Sequence, residues 1–456
     1  MKTRLTRWWD ALRSSLWFVP MLMTLAAVAL AFATVQADER IGYEWIRTVG
    51  WLWTGGPEGA REVLSTIAGS MITVAGVTFS ITVVTLTLAS NQFGPRLLRN
   101  FMRDTGNQIV LGTFIATFIY CLLVLRTVRA VEATQFVPYL SVTAGVLLAT
   151  ISLGVLIYFI HHVSESIQAE NLIAVVAAEL QAGIDRLFPD ELGQAPQTPA
   201  APAPASADST MDDADRCMIR SRHSGYVQAV ESETLLAIAS NRDLILHLLC
   251  RPGDFVTRDD PLAAAWPAGR CDARLARRIC GAFLIGRHRT PTQDVEYAVH
   301  QLVEIAVRAL SPGINDPFTA MNCLDWLGAA LAQLAQRDMP GRQRHDARGQ
   351  LRIIAANGTF AAVANAAFNQ IRQYGRGSAS VVLHMLDVIA AVAPRLCREE
   401  DRKALLRHAA QIESDARASL PNEMDRQVVV ARYQRTVAAL NGRQANTAKV
   451  CGSSAE

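Results

Sequence analysis

The sequence predicts a mainly α-helical chain: a four-helix transmembrane domain, then a cytoplasmic α+β region made of a small β-barrel or sandwich and a helical bundle. Three observations predict it. Nearly every long apolar run lies before His161, the charges cluster after it, and a Pro/Ala-rich stretch separates the spans from the later, more polar region. A helix needs roughly 20 apolar residues to cross a hydrocarbon core. Four stretches qualify, over 16–35, 66–90, 108–125 and 138–160.

The first run comes after Lys2, Arg4, Arg7 and Arg13, and Val35-Gln36-Ala37 has the look of a cleavage site. Its apolar core is nevertheless longer than the roughly 7–15 residues of a secretory signal, and three more spans come after it, so it reads as a span. Arginine and lysine in short loops set orientation. Seven lie at the N-terminus and in the second loop, against five on the other side, which favours both termini on the cytoplasmic side.

The second span is unusual: it carries many hydroxyls and no charge. At 100° per residue, Thr66, Ser70, Thr73, Val77, Ser80, Val84, Thr87 and Asn91 fall on one face at alternating spacings of four and three. Gly69 and Gly76 flank this stripe. Ala68, Ile72, Ala75, Phe79, Val83 and Leu86 cover the side expected to meet lipid, and Thr78, Thr82 and Thr85 form a smaller patch. Small and hydroxyl residues serve helix packing in membranes, and they also line water-filled paths; both readings stay open. Gly94-Pro95 ends the span, and Arg96, Arg99 and Arg103 then share one face. They suit a surface helix with arginines on lipid phosphates, or a ring at the cytoplasmic mouth of an anion-favouring pore. His161, His162 and Glu165 at the end of the fourth span read as interfacial polar residues rather than metal ligands.

The fourth helix is expected to run on to about residue 187, closing a membrane domain over 1–188. Residues 189–215 read as a flexible linker. Short β-rich runs with turn signals over 216–267 ("MIRSRHSGYVQAV", "TLLAIAS", "DLILHLLCRPGDFV", "PLAAAW") suggest the small β module. Its Gly-Tyr-Val and Pro-Gly-Asp-Phe-Val pieces resemble lipoyl- or biotinyl-type barrels, but no lysine lies between Lys2 and Lys403, so a carrier role is excluded.

Residues 272–440 read as helical. In "RTPTQDVEYAVHQL", Thr290 reads as an N-cap, Pro291 as the first helical position and Gln293 as the return partner of a capping box. Asp294, Tyr297, Gln301, Glu304 and Arg308 form that helix's polar stripe. Ser311-Pro312-Gly313 ends it, and Asp316-Pro317 starts the next. Asn315, Asp316 and Thr319 form either a ligand loop or a well-capped turn, and capping is favoured because every residue there has a capping role. Four or so further helices are expected from Leu351 to Leu440, then a polar tail, 441–456, expected to be disordered.

The chain lacks a Gly-Lys-Ser/Thr phosphate loop, His-Glu-x-x-His, Gly-x-Ser-x-Gly and any Cys-x-x-Cys among its eight cysteines. No catalytic, cofactor-binding or metal residues are therefore expected, and no enzyme. A net charge of +3 gives no reason to expect a nucleic-acid partner. The expected partners are the lipid bilayer, further copies of the chain, and an ion or small solute.

The stretches "GSMITVAGVTFSITVVTLTLASNQFGPRLLRNFMRD" and "ALSPGINDPFTA" resemble a bacterial family of predicted membrane proteins, domain-of-unknown-function family twenty-two fifty-four. The resemblance extends from the first span to the late helices. It implies several spans plus a cytoplasmic domain and brings no reaction with it. The function expected is an oligomeric channel or transport-like protein with the second span lining the pathway. The alternative is a membrane-anchored sensor or scaffold whose spans only pack.

Overall fold

The computed structural model describes residues 17–41, 56–94, 104–129, 136–166, 168–188, 215–339, 341–355 and 358–442. The chain divides into two compact units, 1–171 and 172–456. That division falls earlier than the residue 188 expected from the sequence.

In the first unit, four helices are long and apolar enough to cross a membrane: α1 (Phe18–Ile41), α2 (Pro57–Phe93), α3 (Thr105–Thr127) and α4 (Tyr139–Ser166). The third is the central one, packed most extensively on α1 and α2 and then on α4. Its buried Val110, Phe114, Tyr120 and Val124 fill the bundle interior together with Leu64, Val142 and Phe159. Hydroxyls inside the bundle pair across helices, as apolar surroundings require. Thr117 and Ser152 lie 3.1 Å apart, Thr34 and Tyr120 3.0 Å apart, and the Tyr120 hydroxyl donates to the Ser141 carbonyl.

The fourth helix does not run through to residue 187. It ends at Ser166, and a separate helix, α5 (Ala169–Leu187), begins three residues later. Leu172, Ile173, Val176, Ala177, Leu180 and Ile184 give α5 a buried apolar face at helical spacing. That face belongs to the second unit, which is why the division falls before it.

The β module is not a closed barrel. A five-stranded open sheet has the order β1 (Cys217–Arg220), β5 (Pro261–Trp266), β3 (Ile245–Leu248), β8 (Leu351–Ile354), β7 (Gln343–His345). A three-stranded sheet has the order β4 (Phe255–Val256), β2 (Gly225–Val230), β6 (Phe283–Gly286). Both sheets contribute to one apolar core, with Ile219, Val227, Leu246, Leu262, Phe283 and Ile353 inside it. Strands β7 and β8 arrive from well beyond residue 267, β8 pairing parallel to β3. Residues 216–267 are therefore not a self-contained module, and Leu351 opens a strand rather than a helix.

The "TLLAIAS" run is a helix, α6 (Ser232–Arg242), not a strand. Its leucines and alanines favour helix, and Asp243 closes it in the left-handed region at φ 50°. Helix α7 (Ala273–Gly281) lays Leu275 and Ile279 on the same core.

The remaining helices are α8 (Val295–Ala309), α9 (Pro317–Gln336), α10 (Phe360–Gly375), α11 (Ala379–Val392), α12 (Glu399–Ser419) and α13 (Glu423–Asn441). The first of these starts later than its sequence suggests. Asp294, not Thr290, is its N-cap, accepting from the Tyr297 amide at 3.2 Å. Gln293 is drawn away by the sheet instead, its amide group bonding both the N–H and the carbonyl of Val230. Nor is the polar stripe of α8 a solvated face: Asp294 and Gln301 are buried, and Tyr297, Glu304 and Arg308 half-buried.

Candidate functional site

Helix α2 runs 37 residues, about 55 Å at 1.5 Å per residue, against a hydrocarbon core of about 30 Å. Proline at its first position fits there without losing a bond. One face packs inside its own chain: Ala60, Leu64, Ala68, Ala75, Thr78, Thr85, Ala89 and Phe93, spaced by threes, fours and sevens. Alanine at the contact lets α2 and α3 approach closely. Ala68 and Ala75, assigned to the lipid side by sequence, are thus intramolecular packing residues. Of the smaller hydroxyl patch, Thr78 and Thr85 are buried, and Thr82 is half-buried with its hydroxyl donating to the Thr78 carbonyl at 2.8 Å.

The main stripe points the other way. Thr66, Ser70, Thr73, Ser80, Thr87 and Asn91 are all exposed on the single chain, as are Val77 and Val84 between them. A Cβ added at Gly69 or Gly76 would meet open space. Phe79 and Val83, expected on the lipid side, are exposed too. The Thr73 hydroxyl donates to the Gly69 carbonyl at 2.8 Å and that of Thr87 to the Val83 carbonyl at 2.9 Å. These back-bonds satisfy the hydroxyl protons within the helix. None of Thr66, Ser70, Thr73, Ser80 and Thr87 bonds to another helix among the described residues. Arg96, Arg99 and Arg103 lie outside the described residues.

At the ends of the bundle two acidic residues tie helices together, and neither stood out in the sequence. Asp38, near the end of α1, caps the start of α4: Oδ1 accepts from the Leu140 amide, and Oδ2 from the Ser141 amide and hydroxyl, at 2.7–2.9 Å. Its one visible signal was a carboxylate just past an apolar run, while Pro138 opened a helix with no local cap. Asp104 caps α3 through the Gly106 amide at 2.9 Å and holds His162 of α4 at 2.6 Å. Glycine at 106 leaves room for this contact, since a Cβ would stand 2.7 Å from His162 Nε2 and displace the ring. His161 turns instead to Glu165 at 3.2 Å, so the three residues do not converge. Among the described residues no group of three or more His, Cys, Asp or Glu could hold a metal ion.

The 311–319 loop is a cap. Asp316 Oδ1 accepts from the amides of Phe318 and Thr319, each at 3.1 Å, while Oδ2 takes the Thr319 hydroxyl at 2.6 Å. The Thr319 hydroxyl and two helix amides hold the Asp316 carboxyl below the usual range. Asn315 takes the left-handed conformation at φ 50°, where asparagine is tolerated. The same loop leaves Ile314 and Phe318 exposed, the latter by 76%.

No solved structure matches the chain. An uncharacterized protein of Mycobacterium bovis and one of Mycobacterium tuberculosis are each 33% identical to it over 389 residues, covering 84% of this chain and 73% of theirs. The family model described as "Predicted membrane protein (DUF2254)" matches residues 13–391, both motif stretches included. With four apolar helices of spanning length inside the matched region, the chain belongs to this family of predicted membrane proteins.

Proposed function

We propose that the protein is an oligomeric integral membrane protein of channel or transport type. In this reading copies of α2 face one another across a path for an ion or small solute. The unit beginning at residue 172 is a cytoplasmic regulatory domain, and both termini lie on the cytoplasmic side of a bacterial inner membrane. One observation carries the reading: the longest polar stripe among the spans is turned away from its own bundle, whose interior is filled by Tyr120, Phe114 and Phe159. Among the described residues those side chains occupy the interior of the single bundle, whereas several copies of α2 would enclose a path lined by hydroxyls.

A second reading has its own support. Because Thr73 and Thr87 already bond within their helix, the stripe can also sit dry against another copy. The protein would then be a membrane-anchored sensor or scaffold without conduction.

Cysteine accessibility separates the two. On a background with reactive native thiols replaced, Thr73→Cys, Ser80→Cys and Thr87→Cys should react with a membrane-impermeant thiol reagent, and Phe79→Cys and Val83→Cys should not. A thiol reacts as thiolate, which forms in water and scarcely in hydrocarbon. All five silent would remove the aqueous path and leave the scaffold.

A further inference from the structure

The second unit holds a cavity of about 240 Å³ where the start of α8 meets the 251–254 turn, the end of α5 and the edge strand β7. Its polar wall includes Arg251, Asp294, Glu296 and Arg344; Phe188 and Val363 are part of its apolar wall. The turn can close on Asp294 because residue 253 is glycine. Its φ is +99°, and a Cβ there would stand 2.5 Å from Asp294 Oδ2. The Gly253 amide donates to the Val227 carbonyl at 2.8 Å, which fixes the turn on β2.

The charged groups around this cavity are paired, with one exception. Glu296 pairs with Arg251 at 2.9 Å, and buried Asp294 pairs with Arg289 at 2.7 Å. Both carboxylates are therefore already matched by a guanidinium. Arg344 is left over: it lines the cavity, is exposed, and has no ion pair among the described residues. With Asp254 also paired to Arg251, at 3.7 Å, the surrounding charges sum to zero, and what singles out Arg344 is its lack of an ion pair among the described residues. A planar, five-donor fork with no ion-pair partner matches a carboxylate in two parallel hydrogen bonds. A dianion would meet Asp294 and Glu296 with only one charge compensated. Beyond its charged groups the lining has only Ser232 and Gln293 as polar side chains, and Gln293 is already bonded to Val230; a cavity of roughly 150 Å³ already holds a benzene ring.

We propose that this cavity binds a small organic monocarboxylate, its carboxylate on Arg344 and its apolar body against Phe188 and Val363. The proposal goes beyond the channel reading and stands whether or not α2 lines a path. A ligand seated there touches the end of α5, the first helix after the last span.

The test is calorimetric titration of the purified full-length chain in detergent micelles. Benzoate is the probe, benzamide its neutral isostere, and inorganic phosphate the competing anion. Benzoate should bind at least tenfold tighter than benzamide and tighter than phosphate. Arg344→Gln should weaken benzoate at least tenfold, and Arg344→Lys should fall between. Because Arg344 has no ion pair to lose among the described residues, the Gln variant should keep the wild-type melting temperature, which separates lost binding from lost fold. The proposal is overturned by an absence of benzoate binding, by benzamide binding equally well, by phosphate binding tighter, or by a folded Arg344→Gln chain that binds benzoate as wild type does.

Discussion

Asp316 commits both carboxylate oxygens to the start of α9, so its removal should read as a capping defect. Asp316→Ala should cost about 0.5–2 kcal/mol of stability, and Asp316→Ser, which can accept from the same amides, should recover most of it. A Ser variant as stable as wild type but functionally dead would give the loop a ligand role after all. His408, buried on α12, makes a different prediction. Its Nε2 bonds Asn365 Oδ1 at 2.9 Å, its Nδ1 has no hydrogen-bond partner among the described residues, and burial with Arg407 and Arg372 nearby pushes it down to about 4. The folded pKa lies below the unfolded one, so the unfolded chain takes up a proton first. Stability should therefore be intact above about pH 6.5 and fall as pH drops toward 4, by at most about 3 kcal/mol. Urea midpoints at pH 7 and pH 5 measure this, and His408→Met should flatten the difference. An unchanged slope in that variant would place the acid sensitivity elsewhere.

Each helix of the first unit depends on partners outside itself. Helix α4 takes its N-cap from α1, through Asp38, so one carboxylate both ends the orphan amides and pins two spans together. Asp38→Ala should lower the melting temperature of the detergent-solubilised protein, by an amount corresponding to about 1–3 kcal/mol for the amides left unpaired. Asp38→Asn, which keeps an acceptor, should recover part of the loss. A melting temperature unmoved by the alanine would mean that the α4 terminus finds water instead. Helix α2 has the opposite arrangement, one face packed by alanines and the other exposed on the single chain. In the second unit, α8 places Gln301 in the interior, where its carbonyl oxygen has no hydrogen-bond partner among the described residues. The helix packs against α9 and α10, its nearest neighbours in the second unit.

For the whole molecule, the outward stripe predicts assembly. Gly69 and Gly76 have space for a side chain, so cysteines there should fold normally. If copies meet along α2, Gly69→Cys and Gly76→Cys should form disulfide-linked dimers under mild oxidation in membranes, while Ala75→Cys, buried against its own bundle, should not. Monomers from both glycine variants would remove the α2 interface and with it the shared path.

The apolar run lengths determined the four helices long and apolar enough to cross a membrane, because a helix in lipid must bury its own backbone bonds over about 30 Å. Local chemistry likewise determined the Asp316-Pro317 start of α9, whose cap and first residue lie side by side in the chain. Which face of α2 packs was not legible. Alanines and threonines suit either side, and only the position of α3 decided that Ala68, Ala75, Thr78 and Thr85 go inward while the Thr66–Asn91 stripe goes out. Long-range partners were equally hidden. Asp38 caps a helix a hundred residues away, Asp294 displaced Thr290 as the cap of α8 because the sheet took Gln293, and β8 left the helical region to pair with β3. The Arg344 cavity belongs to the same class: its walls come from α5, the 251–254 turn, α8 and β7, and no spacing along the chain brings them together. Sequence determines what a segment can satisfy by itself; the tertiary structure decides the rest, because a buried polar group takes whatever partner the fold places within reach.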